Sequence, residues 1–335
     1  MFKAIVTGDL HYRRVNPRSR LDNFQEALGT KILEVFELAR KYEAKVIIIP
    51  GDLFDGPATT WGTAAELAKM LQVAPCPILT IHGNHDIWSG NPGSKHRTPF
   101  GFMAALGIIW DLTESPFEIQ TNQGEFIAGI TGHGFNIETD TLAGMDQFSV
   151  PESYFQGYNN GFFIHVVHSM LLDHDPGFDM RHTLISQVQT TAQVIVAGHE
   201  HTGFGVYRRE SDGVLFINPG ALCRLSAHVA EIERTVQVAL LTVKDGQATA
   251  ELIPLKSARP GHEVLSREHI ESAAERESRI DEFLKLLASE GEAKFLEVRE
   301  IVEDIAAREN LPEAIKAEAL RRIGEAREKL GVTNP

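Results

Sequence analysis

Four times along this chain a strand-like apolar run ends in a glycine followed by Asp, Asn or His, and a fifth run ends in a histidine alone. The clusters are Gly8-Asp9-Leu10-His11, Gly51-Asp52-Leu53-Phe54-Asp55, Gly83-Asn84-His85-Asp86, His168 closing FFIHVVH, and Gly198-His199-Glu200-His201. Strand ends on one edge of a sheet converge, so side chains far apart in sequence can meet around one point. The glycines allow the tight turns that such convergence needs. What assembles is two Asp carboxylates, one Asn carbonyl and four imidazoles. That mixed oxygen and nitrogen set suits manganese, iron or zinc and is unlike an all-oxygen calcium cage. A lone GD or GNH is a weak signal, and a single His beside an apolar strand, such as His82 or His165, is usually a core residue. The conjunction in one order is what makes a metal site the expectation.

The first hundred residues alternate strands and helices, the pattern of a layered α/β domain. Strands are expected at 2–7, 45–50 and 77–82. Asp22 stands where it can cap a helix whose apolar positions Phe24, Leu28, Ile32, Val35, Ala39 and Tyr42 recur every three or four residues. From about 108 to 255 strand-like runs dominate, at 126–131, 162–167, 194–197, 214–217 and 236–243, so a second sheet packed on the first is expected. The Pro260-Gly261 pair closes that domain at 260, and 261–335 shifts to Glu, Arg, Ala and Leu with helical periodicity. Helices are expected near 266–289, 293–309 and 312–330.

Composition excludes several classes. The formal net charge of −14 argues against a surface that grips nucleic acid everywhere, which leaves local patches. Two stand out as substrate-binding candidates: Arg13, Arg14, Arg18 and Arg20 after the first cluster, and Lys95, His96 and Arg97 after the third. Cys76 and Cys223 form no CxxC pair, so neither a disulfide framework nor a thiolate zinc site is indicated. No apolar run is long enough for a membrane helix, and the first cluster begins too early to leave room for a signal peptide, so a cytoplasmic protein is expected.

The five clusters resemble the calcineurin-like metallophosphoesterase superfamily, whose pattern is GDxH, GDxxD, GNH(D/E), a lone His after a strand, and GHxH. The resemblance implies a four-layer α-β-β-α sandwich (α/β, α+β) with a short C-terminal helical extension. It also implies that Asp9, His11 and His201 hold one divalent metal ion, that Asn84, His168 and His199 hold a second, and that Asp52 bridges them. Manganese is the first expectation for the pair, with iron, zinc or magnesium as alternatives. His85 stands outside the metal shell as general acid, and Asp86 either orients it or supports the turn. Strand alternation sets His165 and His168 on opposite faces, and the family's ligand at the strand end favours His168. The chemistry needs such a set because a phosphodiester repels hydroxide, and two cations about 4 Å apart offset the charge that attack builds up.

Within the superfamily, residues 1 to 260 resemble the SbcD-like DNA repair nucleases of bacteria and phages. That likeness implies a metal-dependent DNA nuclease, exonucleolytic or endonucleolytic, acting on single- or double-stranded DNA. It also implies docking of the C-terminal helices on an SbcC-type ATPase; self-packing or a homodimer is the competing use of those helices. Relatives in archaea and eukaryotes typically have His where this chain has Asp55, and the larger nucleases carry an α/β capping domain where a short helical tail is expected here after residue 260. A small-substrate phosphodiesterase or nucleotidase on the same scaffold is the alternative, which the acidic composition favours; a non-catalytic scaffold is a third reading.

Overall fold

The computed structural model describes residues 1–121, 123–155, 161–268, 302–303, 305–307 and 311–329. The chain divides into two compact units, Met1–Arg267 and Glu268–Pro335.

In the first unit the elements run β1 (Phe2–Val6), α1 (Phe24–Lys41), β2 (Val46–Ile49), α2 (Trp61–Leu71), β3 (Ile78–Thr80), α3 (Pro99–Ala105), β4 (Trp110–Asp111), β5 (Phe117–Gln120) and β6 (Phe126–His133). They continue with α4 (Glu152–Phe155), β7 (Phe163–Ser169), β8 (Leu171–Leu172), β9 (Thr183–Leu184), β10 (Val194–His199), β11 (Gly205–Arg208) and β12 (Leu215–Asn218). The unit closes with α5 (Val229–Glu233), β13 (Gln237–Lys244), β14 (Gln247–Pro254) and α6 (Gly261–Val264). Two six-stranded sheets result, ordered β14-β13-β1-β2-β3-β4 and β11-β12-β10-β7-β6-β5. In the first, β1, β2, β3 and β4 are parallel; in the second, β12, β10, β7 and β6 are. Parallel pairing points the carboxyl ends of neighbouring strands the same way, and those ends carry the clusters picked out by sequence.

Alternation along the strands builds the layers. Ala4, Val6, Val46 and Ile48 of the first sheet share one core with Ile164, Val166, Val194 and Val196 of the second. Their neighbours Ile5, Ile47 and Ile49 face outward onto Phe24, Leu28, Ile32 and Val35 of α1 and Leu67 of α2. On the far side Phe163, Val167, Ile195 and Ala197 pack under a thinner cover that includes Phe148 and Ile185, from the short 3-10 turns Leu142–Phe148 and Ile185–Gln187. The expected sandwich of two sheets flanked by helices is therefore present.

Local details differ from expectation. The cap of α1 is Asn23, whose side chain accepts from the Glu26 amide, because Asp22 is taken up by Arg20. Strand β14 was not expected; it returns from β13 through Asp245 and Gly246, both at positive φ, 51° and 73°. Such a pair of left-handed residues matches the twist of a two-residue hairpin. The first unit also runs past the boundary expected at 260. Val264 and Leu265 pack on Ala227 and Ile232, and the Leu21 amide donates to Val264 O.

In the second unit α7 (Glu313–Lys329) follows Pro312, where a helix was expected over 312–330. The helices expected at 266–289 and 293–309 fall almost wholly outside the described residues. No helix among the described residues is long and apolar enough to cross a membrane.

His165 belongs to the outer core of the second sheet. Its Nδ1 lies 2.7 Å from Thr131 Oγ1 and its Nε2 2.7 Å from Gln147 O, and burial pulls its pKa down to about 4. A folded-state value below the unfolded one, near 6.5, means the unfolded chain binds the extra proton first. Its contribution is therefore intact above pH 6.5 and is lost as pH falls toward 4, a change on the order of 3 kcal/mol. Urea unfolding followed from pH 7.5 to 4.5 should show the wild type losing stability more steeply than His165→Gln, and parallel slopes would contradict this.

Candidate metal centre

The loops after β1 and β2 are layered on one another by main-chain bonds, and the loop after β3 joins them through side chains. The amides of Leu10 and His11 both donate to Asp52 O, at 3.1 and 2.9 Å, and Tyr12 N donates to Leu53 O. Three polar residues there take left-handed backbone: His11 at φ 45°, Asp52 at 47° and His199 at 85°. Non-glycine residues adopt such angles only where their surroundings enforce them, and such strain concentrates at functional sites. Gly51 and Gly83 are needed for a different reason, close approach. A methyl group on Gly51 would land on the His168 ring, and one on Gly83 on the Asp52 carboxylate and amide.

These constraints bring two donor groups together. Asp9, His11 and His201 each offer an atom within 4.8 Å of the others, and so do Asp52, His168 and His199. His11 Nε2 is 3.0 Å from His201 Nε2, and His201 Nε2 is 3.5 Å from Asp9 Oδ2. Asn84 Oδ1 lies 3.0 Å from His168 Nε2. The Asp52 carboxylate stands between the groups, 3.4 Å from His11 Nε2 and 3.3 Å from His168 Nε2. His85 joins from the side: its ring centroid is 4.6 Å from that of His11, and its amide donates to Asp52 Oδ1 at 2.8 Å.

The electrostatics are those of a cation site. Burial opposes ionisation of Asp52, but His168 and His11 outweigh it and hold the carboxyl well below the usual carboxylate range. Burial likewise works against a charged His168, yet Asp52 raises its pKa to about 10. His11 and His199, depressed mainly by burial, fall to about 4 and so offer neutral imidazoles. Anionic carboxylates, imidazoles and an Asn carbonyl packed this tightly form a donor set that fits divalent metal ions, which His168 and His201 would bind on giving up the protons that Asp52 and Asp9 now stabilise. The Nδ1 atom of His168 is held 2.7 Å from Pro50 O, which turns its Nε2 inward, as the outer partner of a metal-binding imidazole does.

Asp86 does not touch the His85 ring. It is buried under the turn, where its carboxylate accepts from the amides of Gly83, Leu53 and Phe54 at 3.0 to 3.2 Å. Burial and the nearby Asp52 lift its pKa to about 8 against those amides. The role left to Asp86 is holding the second and third clusters together. The partner of the His85 ring is one that sequence reasoning passed over: His85 Nδ1 is 2.8 Å from the main-chain oxygen of Asp55. The last residue of GDLFD was the available signal. Asp140 was also missed; it accepts from Ser169 Oγ, Met170 N and Thr183 Oγ1, bracing the chain just after His168.

The basic candidates separate. Lys95 is buried, its ammonium bound to Asp111, Thr113 and Glu114, so it is an internal ion-pair residue and not a substrate contact. The Arg20 side chain is likewise buried, donating two hydrogen bonds from Nε and Nη2 to the Asp22 carboxylate. Arg13 pairs with Asp55 Oδ2 at 2.8 Å, beside His85, while Arg14, Arg18 and Arg97 are exposed. Asn218-Pro219-Gly220, which reads as a plain turn, packs against the first and fifth clusters: Asn218 Nδ2 donates to Glu200 O, and Ala221 N to His201 O.

Residues 2–203 match the family model described as calcineurin-like phosphoesterase. Among solved structures the chain is similar to a dimetal phosphatase from Danio rerio, at 11% identity over 76% of this chain and 96% of that one, TM-score 0.49. It is also similar to an archaeal phosphodiesterase, at 13% identity over 75% of this chain and 100% of that one, TM-score 0.33. A third is vacuolar protein sorting 29 from Cryptosporidium parvum, at 13% identity over 76% and 97%, TM-score 0.30.

Because Gly83 has no room for a side chain against Asp52, Gly83→Ala should weaken manganese binding at least about tenfold in calorimetric titration while far-UV circular dichroism is unchanged. Wild-type affinity in that variant would show that the Asp52 turn has slack.

Proposed function

The chain belongs to the calcineurin-like phosphoesterase family, and we propose that within it this protein is a two-metal phosphodiesterase whose substrate is DNA. The observation that carries the reading is the Asp52 carboxylate shared between two donor groups, with His85 beside them. In this reading Asp9, His11 and His201 hold one ion, Asn84, His168 and His199 the other, and Asp52 both. Bound there, the ions would neutralise phosphoryl charge and lower the pKa of water at the site.

The rest of the work falls to the protein. Acting as the acid in its imidazolium form, His85 donates the Nδ1 N–H to the Asp55 carbonyl and gives the second proton, on Nε2, to the departing oxygen, ending as the neutral Nδ1–H ring. Fixing the ring through a main-chain atom spares it the entropy of an unconstrained rotor at the moment of transfer. Asp86 keeps the Asn84-His85 turn in register with Asp52 by its three amide bonds. Arg14, Arg18 and Arg97 supply the exposed positive charge that a polyanionic strand would meet, and the SbcD-like motif set supports DNA over other polyanions. A second reading, a small phosphodiester or nucleotide substrate, is favoured by one observation: Arg13, Arg20 and Lys95 are all tied to carboxylates, which thins the basic surface.

The test is manganese-dependent hydrolysis of end-labelled single-stranded and duplex DNA beside bis(p-nitrophenyl) phosphate. His85→Ala should lower turnover of every substrate about 10²- to 10⁴-fold with manganese binding retained. Full activity in that variant would remove His85 as the acid. Hydrolysis of the model ester with DNA left intact would move the substrate to small phosphodiesters.

A further inference from the structure

A second site lies one residue behind the metal centre. The segment after β12 passes Leu222, whose amide donates to Asp9 O and whose carbonyl accepts from Lys31 Nζ at 2.7 Å. Below that lysine, between α1 and the chain leading into α6, is a cavity of about 170 Å³ lined by Arg20, Asp22, Lys31, Arg224, Ser257 and Arg259 among others. Four cations around so small a space are unexpected in a chain of net charge −14.

Their partners show which charges are spoken for. Arg20 is neutralised by Asp22, and Arg259, at the more exposed side, by Glu263 at 3.1 Å. Arg224 donates through Nε, Nη1 and Nη2 to the carbonyls of Glu231, Arg259 and Arg234, which orients its guanidinium without cancelling its charge. Among the described residues Lys31 donates to the Leu222 carbonyl alone, and an ammonium carries three donors. Among the described residues neither Lys31 nor Arg224 has a carboxylate within salt-bridge distance, yet each is only 4% exposed. Burial, with added repulsion from Arg20, Arg224 and Arg234, pulls the Lys31 pKa down to about 7. Buried cations with no carboxylate at contact distance are costly, and without an anion beside it Lys31 is charged only in part near neutral pH.

We propose that this cavity is a binding site for one tetrahedral phosphate dianion, held by Lys31 and Arg224 with Arg259 at its mouth. Two negative charges match Arg224 and a Lys31 that the bound anion would keep protonated, and tetrahedral oxygens can meet donors arriving from several directions. The volume is below the roughly 300 to 1,000 Å³ of pockets that enclose whole organic ligands, so the site takes a phosphate group and not a nucleoside. That phosphate is either the free ion or the terminal group of a phosphomonoester. The proposal stands apart from the assignment of DNA as substrate.

Calorimetric titration of the manganese-loaded full chain with inorganic phosphate tests it, with Asp52→Asn identifying any phosphate bound at the metals. A phosphate site that survives in Asp52→Asn and is weakened about tenfold or more in Lys31→Met is expected. Arg259→Ala, at a partly exposed position, should weaken it severalfold with bis(p-nitrophenyl) phosphate hydrolysis retained, which keeps the test valid if Lys31→Met fails to fold. Adenosine monophosphate that displaces the bound phosphate would identify a phosphomonoester terminus as the occupant, and one that does not would identify the free ion. Loss of all phosphate binding in Asp52→Asn, or unchanged affinity in Arg259→Ala and in a folded Lys31→Met, would overturn the proposal.

Discussion

The turn at Asp52 is the point on which the site depends. Its main-chain oxygen takes the amides of Leu10 and His11, and its carboxylate takes the amide of His85 and stands between His11 and His168. One residue thus joins the ends of three strands of the first sheet to a strand end of the second. The left-handed backbone at Asp52 is tolerable because these bonds over-determine it, with Gly83 leaving room for Asp52 and Gly51 for the His168 ring.

Much of this was legible in the sequence, because chemistry-bearing clusters and strand alternation are both local patterns. The strand runs at 2–7, 45–50 and 162–167 announced which residues face which layer, and the structure divides Val46 and Ile48 from Ile47 and Ile49 accordingly. The same alternation separates His165, satisfied by Thr131 and Gln147, from His168 at the metal centre. What sequence left out is pairwise. Asp22 and Asn23 are both good caps, and only the position of Arg20 decides between them. Lys95 reads as surface charge until Asp111 and Glu114 are brought around it. Strand β14 did have a local signal, the Asp245-Gly246 pair, that went unused.

Charge is distributed with the same economy. The acidic composition suggests a molecule with little to offer an anion, yet the buried cationic side chains of Arg20, Lys31 and Arg224 meet around one cavity behind the metal centre. The Leu222 peptide joins the two regions, its amide to Asp9 and its carbonyl to Lys31. Net charge describes the long-range field of a protein, and it says little about a cavity a few ångströms wide.

The donors of the metal centre are drawn from residue 9 to residue 201, and the amide of His199 closes on the Asp9 carboxylate across 190 positions of chain. Contacts of such sequence separation carry their loop-closure entropy before they return any bond, so structures built on them assemble slowly. The two sheets can each nucleate on neighbouring strands, but the centre exists only once β1, β7 and β10 have met. A molecule whose two sheets have not met therefore lacks the complete donor set, whatever local structure each sheet has gained.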